Sequence, residues 1–306
     1  MTAINAQLLT DYFGSRLQTN VPLAGLTTAR VGGPASYYVA ARSADELAGD
    51  VSFLWLHETP VVVLGTGANV LVSDRGFNGV VLHNQARNIT IDLESDPPLL
   101  VAESGAILGT VARQAGLNSL TGLEWASTIP GSLGGAVYGN AGAHGGDMQH
   151  SLLLANILHR NKGHLSLSSE QMEYSYRSSV LKRAPGSAII LSAQLAVAKG
   201  DARVIKAQME ENSAKRRRTQ PPGASMGSTF KNPVGDHAGR LIEAAGLKGT
   251  RIGGAQVSPV HANFFINDGS ATAEDIHRLI VLVQQTVAER FGVQLQLEIE
   301  LLGDWN

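Results

Sequence analysis

Residues 127–146 form a segment that is rich in glycine and contains no Asp, Glu, Lys or Arg. Such a composition is too rich in glycine for a helix and too apolar for a disordered linker. Because glycine has no side chain, its backbone can lie directly against another backbone or a bulky ligand. We therefore expect an ordered loop here, and we favour contact with a ligand over a purely structural role.

Length and composition narrow the class of protein. The chain has 306 residues and no cysteine. This length fits about two domains, and the lack of cysteine excludes disulfides, a cysteine nucleophile and a cysteinyl link to a flavin. The 24 Lys and Arg residues against 26 Asp and Glu residues give a net charge of −2, so we expect no nucleic-acid partner.

No segment of the sequence has the roughly 18 consecutive apolar residues of a membrane helix. The N-terminal segment MTAINAQLLTDYFG lacks the basic start and apolar centre of a signal peptide. We therefore expect a cytoplasmic protein without membrane insertion. The sequence does not predict an oligomeric partner.

The clearest helix is Ala271–Phe291, in which apolar residues recur at helical spacing. Thr272 and Asp275 predict a capping box at its start, and Gly292 predicts its end. This segment therefore supplies one amphipathic helix of the C-terminal part of the chain.

Two segments have the pattern of strands. Pro60–Leu64 is β-branched and uncharged, which predicts a fully buried strand. Val293–Leu301 alternates between apolar and polar residues, which predicts a strand with Glu298 and Glu300 on its polar face. The two carboxylates are either exposed to solvent or, if buried, one of them has a raised pKa and stays protonated near a reacting group.

Gly65–Asn69 follows the first of these strands and is equally consistent with a tight turn and with a phosphate-binding turn. It is not a Walker loop, because no Gly-Lys-Ser/Thr follows it. Val70 occupies the third glycine position of a dinucleotide fingerprint.

Three polar residues can each be interpreted either as part of a functional site or as an ordinary structural or surface residue. Arg177, beside Tyr176, is more typical of a surface residue packed on a ring than of a fixed cation. Ser228 is more typical of a turn; without a Gly-x-Ser-x-Gly elbow, a catalytic role would be that of a proton donor. His261 is more typical of a structural histidine, and no metal site is expected, because no second ligand stands at helical spacing.

Eight motifs follow one another along the chain. They are TTARVGGPA (27–35), LGTGANVLVSDRGFNGVV (64–81), GLEWASTIPGSLGGAVYGNAGAHGG (122–146), YSYRSSVLK (174–182), GSTFKNP (227–233), AGRLIEAAGLKG (238–249), GGAQVSPVHANFFIN (253–267) and EIELLG (298–303). In this order they resemble the UDP-N-acetylenolpyruvoylglucosamine reductase family from about residue 20 to residue 303.

The resemblance implies an α+β fold in three parts. Residues 1–85 and 86–200 would form two subdomains of the vanillyl-alcohol-oxidase (PCMH) type of FAD-binding fold, and residues 201–306 a C-terminal α+β substrate-binding domain. The implied activity is reduction of UDP-N-acetylglucosamine enolpyruvate to UDP-N-acetylmuramate in peptidoglycan precursor synthesis, with NADPH as reductant and non-covalent FAD. The alternative is another FAD-dependent oxidoreductase of this fold that acts on a small alcohol or sugar.

The resemblance also implies three catalytic residues. Ser228 would donate a proton to C2 of the substrate, Arg177 would bind and polarise the substrate carboxylate, and Glu298 would be its acidic partner. Glu300 stays a second choice, because the register is counted back from Gly303.

Cofactor and substrate positions follow from the same motifs. For FAD the resemblance implies Arg30, Gly32, Gly33, Gly65, Thr66, Gly67, Ala68, Asn69, Ile129, Pro130, Gly131, Ser132, Gly134, Gly135, Asn140, Ala141 and Gly142. For the substrate it implies Tyr176, Arg217, Lys231, Asn232 and Gln256. The direct passage from YRSS into a strand, without an inserted segment, resembles the shorter of two subclasses.

Overall fold

The structure is a computed structural model that describes residues 4–305. Residues 1–3 and 306, at the ends of the first and third predicted domains, lie outside the described residues, as does the start of the segment examined for a signal peptide. The α-helices are α1 (Ala6–Phe13), α2 (Ala44–Leu56), α3 (Leu108–Leu117), α4 (Leu133–Gly139), α5 (Met148–Ser151), α6 (Val180–Arg183), α7 (Ala202–Thr219), α8 (Ala238–Ala244) and α9 (Ala273–Phe291).

Runs of consecutive strands are interspersed with these helices and the five-stranded sheet is antiparallel, so the predicted α+β class is confirmed. They are β1 (Gln18–Pro22), β2 (Pro34–Ala41), β3 (Val61–Leu64), β4 (Val70–Val72), β5 (Phe77–Asn84), β6 (Ile89–Asp92), β7 (Leu99–Glu103), β8 (Leu120–Thr121), β9 (Gly142–Ala143), β10 (Gly146–Asp147), β11 (Leu152–His159), β12 (Gly163–Ser168), β13 (Ala188–Ala196), β14 (Ala198–Lys199), β15 (Arg251–Ile252), β16 (Ala255–Val257), β17 (Phe265–Asn267) and β18 (Glu300–Leu302). Among residues 4–305, no helix is long and apolar enough to cross a membrane.

The chain divides into two compact units. Unit 1 contains the described residues up to Leu17, Val39–Thr66 and Val81–Arg216. Unit 2 contains Gln18–Tyr38, Gly67–Val80 and the described residues from Arg217 onwards. The three-part division of the sequence at residues 85 and 200 stays a prediction.

Unit 1 is built on a five-stranded antiparallel sheet with the order β12–β11–β13–β7–β6. Three alanines that face one another across its central strands, Ala155, Ala193 and Ala102, are buried. They belong to the same apolar cluster as Leu133 and Val137 of α4, which packs against β13 and β7. This arrangement places the glycine-rich segment against the sheet.

The expectation that residues 127–146 form only a loop is wrong, because α4 lies within them. The Ser132 side chain accepts a hydrogen bond from Gly135 N–H at 3.3 Å and so caps this helix. A Cβ on Gly134 would lie 2.9 Å from Ser104 Cβ. The low helix propensity of glycine is therefore overridden by close packing, which only glycine permits at this position.

Unit 2 contains the antiparallel sheet β15–β16–β17 and the parallel pair β18–β4. Phe230 and Phe265 lie at the centre of its apolar cluster. The predicted capping box of α9 is confirmed, since the Thr272 and Asp275 side chains bind each other's backbone N–H groups. Gly292 ends this helix in the left-handed conformation, with φ of 69°.

Both strand predictions need correction. In β3 only Leu64 is buried, because this strand lies at the edge of its sheet. Of Val293–Leu301, only the last two residues belong to a strand, β18. The segment cannot form one regular strand because its hydrogen bonds change partner: Glu298 N–H donates to Thr229, whereas Glu300 N–H donates to Asn69.

Candidate active site

Arg177 lies in a tight turn of unit 1 and points its guanidinium at the glycine-rich segment. Ser175 and Ser178 close the turn with two backbone hydrogen bonds of 3.1 Å, and Arg177 has φ of 54°, in the left-handed region. Its guanidinium donates to the carbonyls of Asn140 at 3.3 Å and Gly142 at 3.2 Å. The sequence pattern favoured a surface residue, but these contacts hold the cation against predicted FAD-binding positions.

Neighbouring contacts make this turn rigid. The Asn140 side chain donates to the Ser175 carbonyl at 3.1 Å and accepts from Gln149 N–H at 3.0 Å. The Arg177 guanidinium also lies 5.5 Å from the centre of the Tyr176 ring, an exposed side chain. The backbone carbonyls therefore hold a permanently charged guanidinium in a fixed orientation.

Two glycines of the 127–146 segment have room for a side chain, as the distance from an added Cβ to its nearest neighbour shows. A Cβ on Gly131 would have its nearest neighbour at 4.0 Å, and one on Gly135 at 3.4 Å. Internal packing therefore does not require glycine at these two positions. Glycine at such positions is expected of backbone that receives a flat ligand.

Gly65, also predicted to bind FAD, has a different reason to be glycine. A Cβ there would lie 2.3 Å from Ser132 Oγ. This contact brings two predicted FAD-binding segments of unit 1, at residues 65 and 132, directly together. The Ser132 side chain can pack this closely only without a side chain at residue 65.

The predicted FAD-binding loops of unit 2 interlock through their backbones. Gly33 N–H donates to the Ser73 carbonyl at 2.8 Å, and a Cβ on Gly33 would lie 2.1 Å from Asp74 O. Gly67 has φ of 61°, and its Cβ would lie 2.1 Å from Leu26 O. These glycines are therefore required by the fold of the loops themselves.

Asn69, the last residue of the predicted FAD-binding segment 65–69, binds the acidic segment near the end of the chain. Its side-chain amide donates to the Glu298 carbonyl at 3.0 Å. Its own carbonyl accepts from Glu300 N–H at 2.9 Å. Asn69 thus fixes the backbone on both sides of Ile299, a role that the sequence did not indicate.

Ser228 and Glu298 lie on neighbouring backbone segments of unit 2. Phe230 and Leu297 form an antiparallel bridge, and Glu298 N–H donates to the Thr229 carbonyl at 2.9 Å. Ser228 and Glu298 are half-buried, whereas Glu300 is exposed. The two carboxylates, predicted to share the polar face of one strand, therefore differ in exposure.

A cavity of about 340 Å³ opens beside Ser228. Its walls combine hydroxyl, amide, imidazole, carboxylate and guanidinium groups within unit 2. They are Ser228, Asn232, His237, Gly239, Arg240, Glu243, Val260, His261, Ala262 and Asn263. The sequence singled out Ser228, Asn232 and His261 but missed Arg240, Glu243 and Asn263, although all three stand in the quoted motifs.

His261 contributes a neutral imidazole to this wall. Burial lowers its pKa, and the charge of Lys248 acts in the same direction. Its Nδ1 lies 3.2 Å from Asn263 N–H and accepts that hydrogen bond, so the proton is carried by Nε2. Within the described range, no group of three His, Asp or Glu side chains is arranged to hold a metal.

Arg240, in the same wall, is paired with Asp236. This ion pair lowers the pKa of Asp236 to about 2, mainly through the hydrogen bond from the guanidinium. The cavity therefore has a cation at its rim whose position is fixed by a partner four residues earlier on the chain.

The predicted substrate residues are only partly brought together. Asn232 lines the cavity, and its side chain accepts from Ala238 N–H at 3.1 Å at the start of α8. Lys231 is half-buried next to it. Gln256 lies on β16, where its side chain binds the Gly249 carbonyl and Arg251, and it is not among the described residues that line the cavity.

Comparison with known proteins defines the class of this protein. A family model described as "FAD binding domain" matches residues 35–165. A second, described as "UDP-N-acetylenolpyruvoylglucosamine reductase, C-terminal domain", matches residues 219–302. The protein is therefore a flavoprotein with an FAD-binding domain followed by the C-terminal domain of a reductase, and the predicted fold is confirmed.

Full-length relatives identify the family. Those named UDP-N-acetylenolpyruvoylglucosamine reductase include proteins of Chloroflexus aggregans, with 41% identity over 94% of this chain and 97% of the relative, and Bacillus subtilis, with 40% identity over 94% of both. The solved structure of the Thermus caldophilus reductase has a TM-score of 0.80 and 33% identity, and the match covers 94% of this chain and 99% of that one. The chain belongs to the UDP-N-acetylenolpyruvoylglucosamine reductase family.

Proposed function

We propose that the protein reduces UDP-N-acetylglucosamine enolpyruvate to UDP-N-acetylmuramate, with NADPH as the reductant and FAD as the bound cofactor, in peptidoglycan precursor synthesis. The observation that carries this proposal is the match of about 40% identity over nearly the whole chain to reductases of this name. The reaction adds a hydride to C3 and a proton to C2 of the enolpyruvyl group, while NADPH becomes NADP⁺.

Within unit 1, we assign FAD binding to the glycine-rich segment, and the predicted FAD positions of unit 2 stay separate proposals. The open faces of Gly131 and Gly135 support this assignment, because the fold alone does not require glycine there. Bound FAD supplies the two-electron chemistry that passes hydride from NADPH to the substrate. The backbone of the segment positions the cofactor, and the absence of cysteine agrees with non-covalent binding.

Arg177 binds the substrate carboxylate. Addition of hydride at C3 leaves negative charge that spreads from C2 into this carboxylate. A guanidinium held by the carbonyls of Asn140 and Gly142 is already in place when that charge develops, and a preorganised charge of this kind stabilises the transition state. Arginine suits the role because it stays protonated at any physiological pH.

Ser228 donates the proton to C2. A serine hydroxyl is a weak acid, so it acts as a donor only in a site that stabilises the alkoxide it becomes. Its half-buried position in the wall of a cavity that also holds His261 and Arg240 supports this role. Both side chains can donate hydrogen bonds there, which favours the ionised form of a nearby oxygen.

Glu298 is the acidic partner of the carboxylate. It is half-buried and bound through its backbone to Thr229 and Asn69, whereas Glu300 is exposed. This difference supports Glu298, the residue that the register of the motif indicates.

Tyr176, Arg217, Lys231, Asn232 and Gln256 stay proposals for binding the rest of the substrate, and the position of Asn232 in the cavity wall supports that residue. We place the reaction in the cytoplasm, where NADPH and UDP-linked sugars are available.

The function is tested by an anaerobic titration of the FAD-loaded protein, followed by visible absorption. NADPH should bleach the flavin band, and UDP-N-acetylglucosamine enolpyruvate should restore it with formation of UDP-N-acetylmuramate. Bleaching without recovery would show a flavoenzyme of a different specificity and would refute the proposal.

The two carboxylates provide a matched pair of variants. Glu298→Gln should slow recovery of the flavin band about 100-fold, which is the scale of losing one group that stabilises developing charge. Glu300→Gln should stay within about twofold of the wild-type rate, as expected of an exposed side chain. The reverse pattern would assign the acidic role to Glu300.

A further inference from the structure

Asn263 is buried, with 3% of its surface exposed, and its side chain binds both backbone groups of a single residue. Phe230 N–H donates to Asn263 Oδ1 at 2.9 Å, and Asn263 Nδ2 donates to the Phe230 carbonyl at 2.8 Å. The Asn263 carbonyl also accepts from Thr229 N–H at 2.8 Å. The side-chain amide thus pairs with the backbone of Phe230 in the way that a neighbouring strand would.

The opposite edge of the same segment is occupied by the end of the chain. Lys231 N–H donates to the Gln296 carbonyl at 2.8 Å, and Glu298 N–H donates to the Thr229 carbonyl. Phe230 is fully buried, and its own N–H and carbonyl are turned towards Asn263. Without the amide, these two backbone groups would lose their partners in a place that water does not reach, which is costly.

Ser228 comes directly before the two residues that Asn263 holds. Ser228 and Asn263 are also both among the residues that line the cavity. Because the backbone of 229–230 is bound on both edges, the position of the Ser228 hydroxyl depends on this clamp. Misplacement of a reacting group by about 1 Å can reduce a rate about 100-fold.

We propose that Asn263 is a positioning residue for the reduction. Its side-chain amide holds both backbone groups of Phe230 in place, two residues after Ser228, and thereby aims the Ser228 hydroxyl for proton delivery. The inference rests on the proposed function, since it needs Ser228 to be the proton donor.

The test is Asn263→Asp, which keeps the size of the side chain but replaces the donor to the Phe230 carbonyl with an acceptor. The rate of flavin recovery with the enolpyruvyl substrate should fall about 10- to 100-fold, while the rate of bleaching by NADPH stays unchanged. The solvent deuterium isotope effect on recovery should increase, because proton delivery becomes slower. A merely destabilising change would not move this isotope effect.

Asn212→Asp is the matched control. Asn212 is also buried, at 5% exposure, and its side-chain amide donates to the Glu124 carbonyl at 3.0 Å. The same substitution there removes an equivalent donor in unit 1, and both flavin rates should stay at the wild-type values. Asn263→Ser, which removes the side-chain amide without adding a charge, replaces Asn263→Asp if that variant does not fold.

A double variant asks whether Asn263 acts through Ser228. Ser228→Ala with Asn263→Asp should recover no more slowly than Ser228→Ala alone, because two changes that affect one step are not additive. Multiplicative effects, or equal rates for Asn263→Asp and Asn212→Asp, would overturn the inference while leaving the proposed function intact. A wild-type protein whose bleached flavin does not respond to the substrate would refute the proposed function and this inference with it.

Discussion

The glycine-rich segment of unit 1 and the interlocked loops of unit 2 use the same residue for opposite reasons. At Gly131 and Gly135 an added Cβ would make only ordinary van der Waals contacts, so internal packing does not explain the glycines. At Gly33 and Gly67 a side chain would collide with the backbone of another loop. A motif rich in glycine therefore carries two kinds of information, one about a ligand and one about the fold.

The difference between the two kinds of glycine also predicts different effects of substitution on FAD binding and on the stability of the fold. Substitution at a crowded glycine should damage the fold whether or not FAD is present. Substitution at an open glycine should leave the fold of the FAD-free protein unchanged and weaken only the binding of the cofactor. The following variants test that separation.

Gly33→Ala should have the largest effect. Its Cβ would lie 2.1 Å from Asp74 O and 2.6 Å from Gly76 N, both backbone atoms that cannot move aside independently. We expect a loss of more than about 3 kcal/mol in the free energy of unfolding, or no folded protein. Urea unfolding of the FAD-free protein measures it.

Gly25→Ala is the control for Gly33→Ala, because within the described chain nothing lies within 4 Å of its added Cβ. Its unfolding free energy should stay within about 0.5 kcal/mol of wild type. Equal stability of the Gly33 and Gly25 variants would refute the steric argument.

Gly131→Ala should have a smaller effect of a different kind. Its nearest neighbour is 4.0 Å from the added Cβ, so the FAD-free protein should keep its stability within about 0.5 kcal/mol. The dissociation constant of FAD should rise about tenfold, equivalent to about 1.4 kcal/mol, because the methyl group occupies the ligand's place. Flavin fluorescence measures the binding.

Gly49→Ala in α2 is the counterpart in the same unit, since its added Cβ also has room, with a nearest neighbour at 3.8 Å. FAD affinity should not change in that variant. If Gly131→Ala binds FAD as tightly as Gly49→Ala does, the open face of Gly131 is not a cofactor contact.

The smallest effect is on how the stability of the folded protein depends on pH, to which one histidine from each region contributes. Burial lowers the pKa of His144 in the glycine-rich segment, helped by Lys215 and Arg216, and burial lowers the pKa of His261 in unit 2. Because the folded pKa lies below the unfolded value of about 6.5, the unfolded state takes up the proton first. Stability is therefore full above about pH 6.5 and declines as the pH falls through the folded pKa.

His261→Asn and His144→Asn should each flatten this decline, because each removes a group whose pKa is lowered in the folded protein. Urea unfolding at several values between pH 7.5 and pH 5 measures the difference. A variant that shows a steeper decline than wild type would contradict the direction of the shift.

Local signals predicted the parts of the fold that depend on local chemistry. The capping box and terminal glycine of α9 are read from residues within one turn of its ends, and both are confirmed. The helix α4 was missed because its stability comes from Ser104 and the central sheet, which are distant in sequence. The end of the chain was misread because its partners, Thr229 and Asn69, are set by tertiary structure.

The candidate site divides in the same way. Ser228, Arg177 and Glu298 were found because long motifs carry them, and their roles stay predictions. Asn263 stands in one of those motifs, yet its role depends on Phe230, which is 33 positions away. No pattern of spacing identifies such a contact, because nothing in the sequence near either residue indicates its distant partner.

The most direct test of this account is the Ser228→Ala variant in the anaerobic flavin titration. The account predicts that NADPH bleaches the flavin band at the wild-type rate. Recovery with UDP-N-acetylglucosamine enolpyruvate should be slowed at least about 100-fold, the lower end of the range for loss of a general acid. Recovery at the wild-type rate would show that Ser228 does not deliver the proton, and it would contradict the central claim.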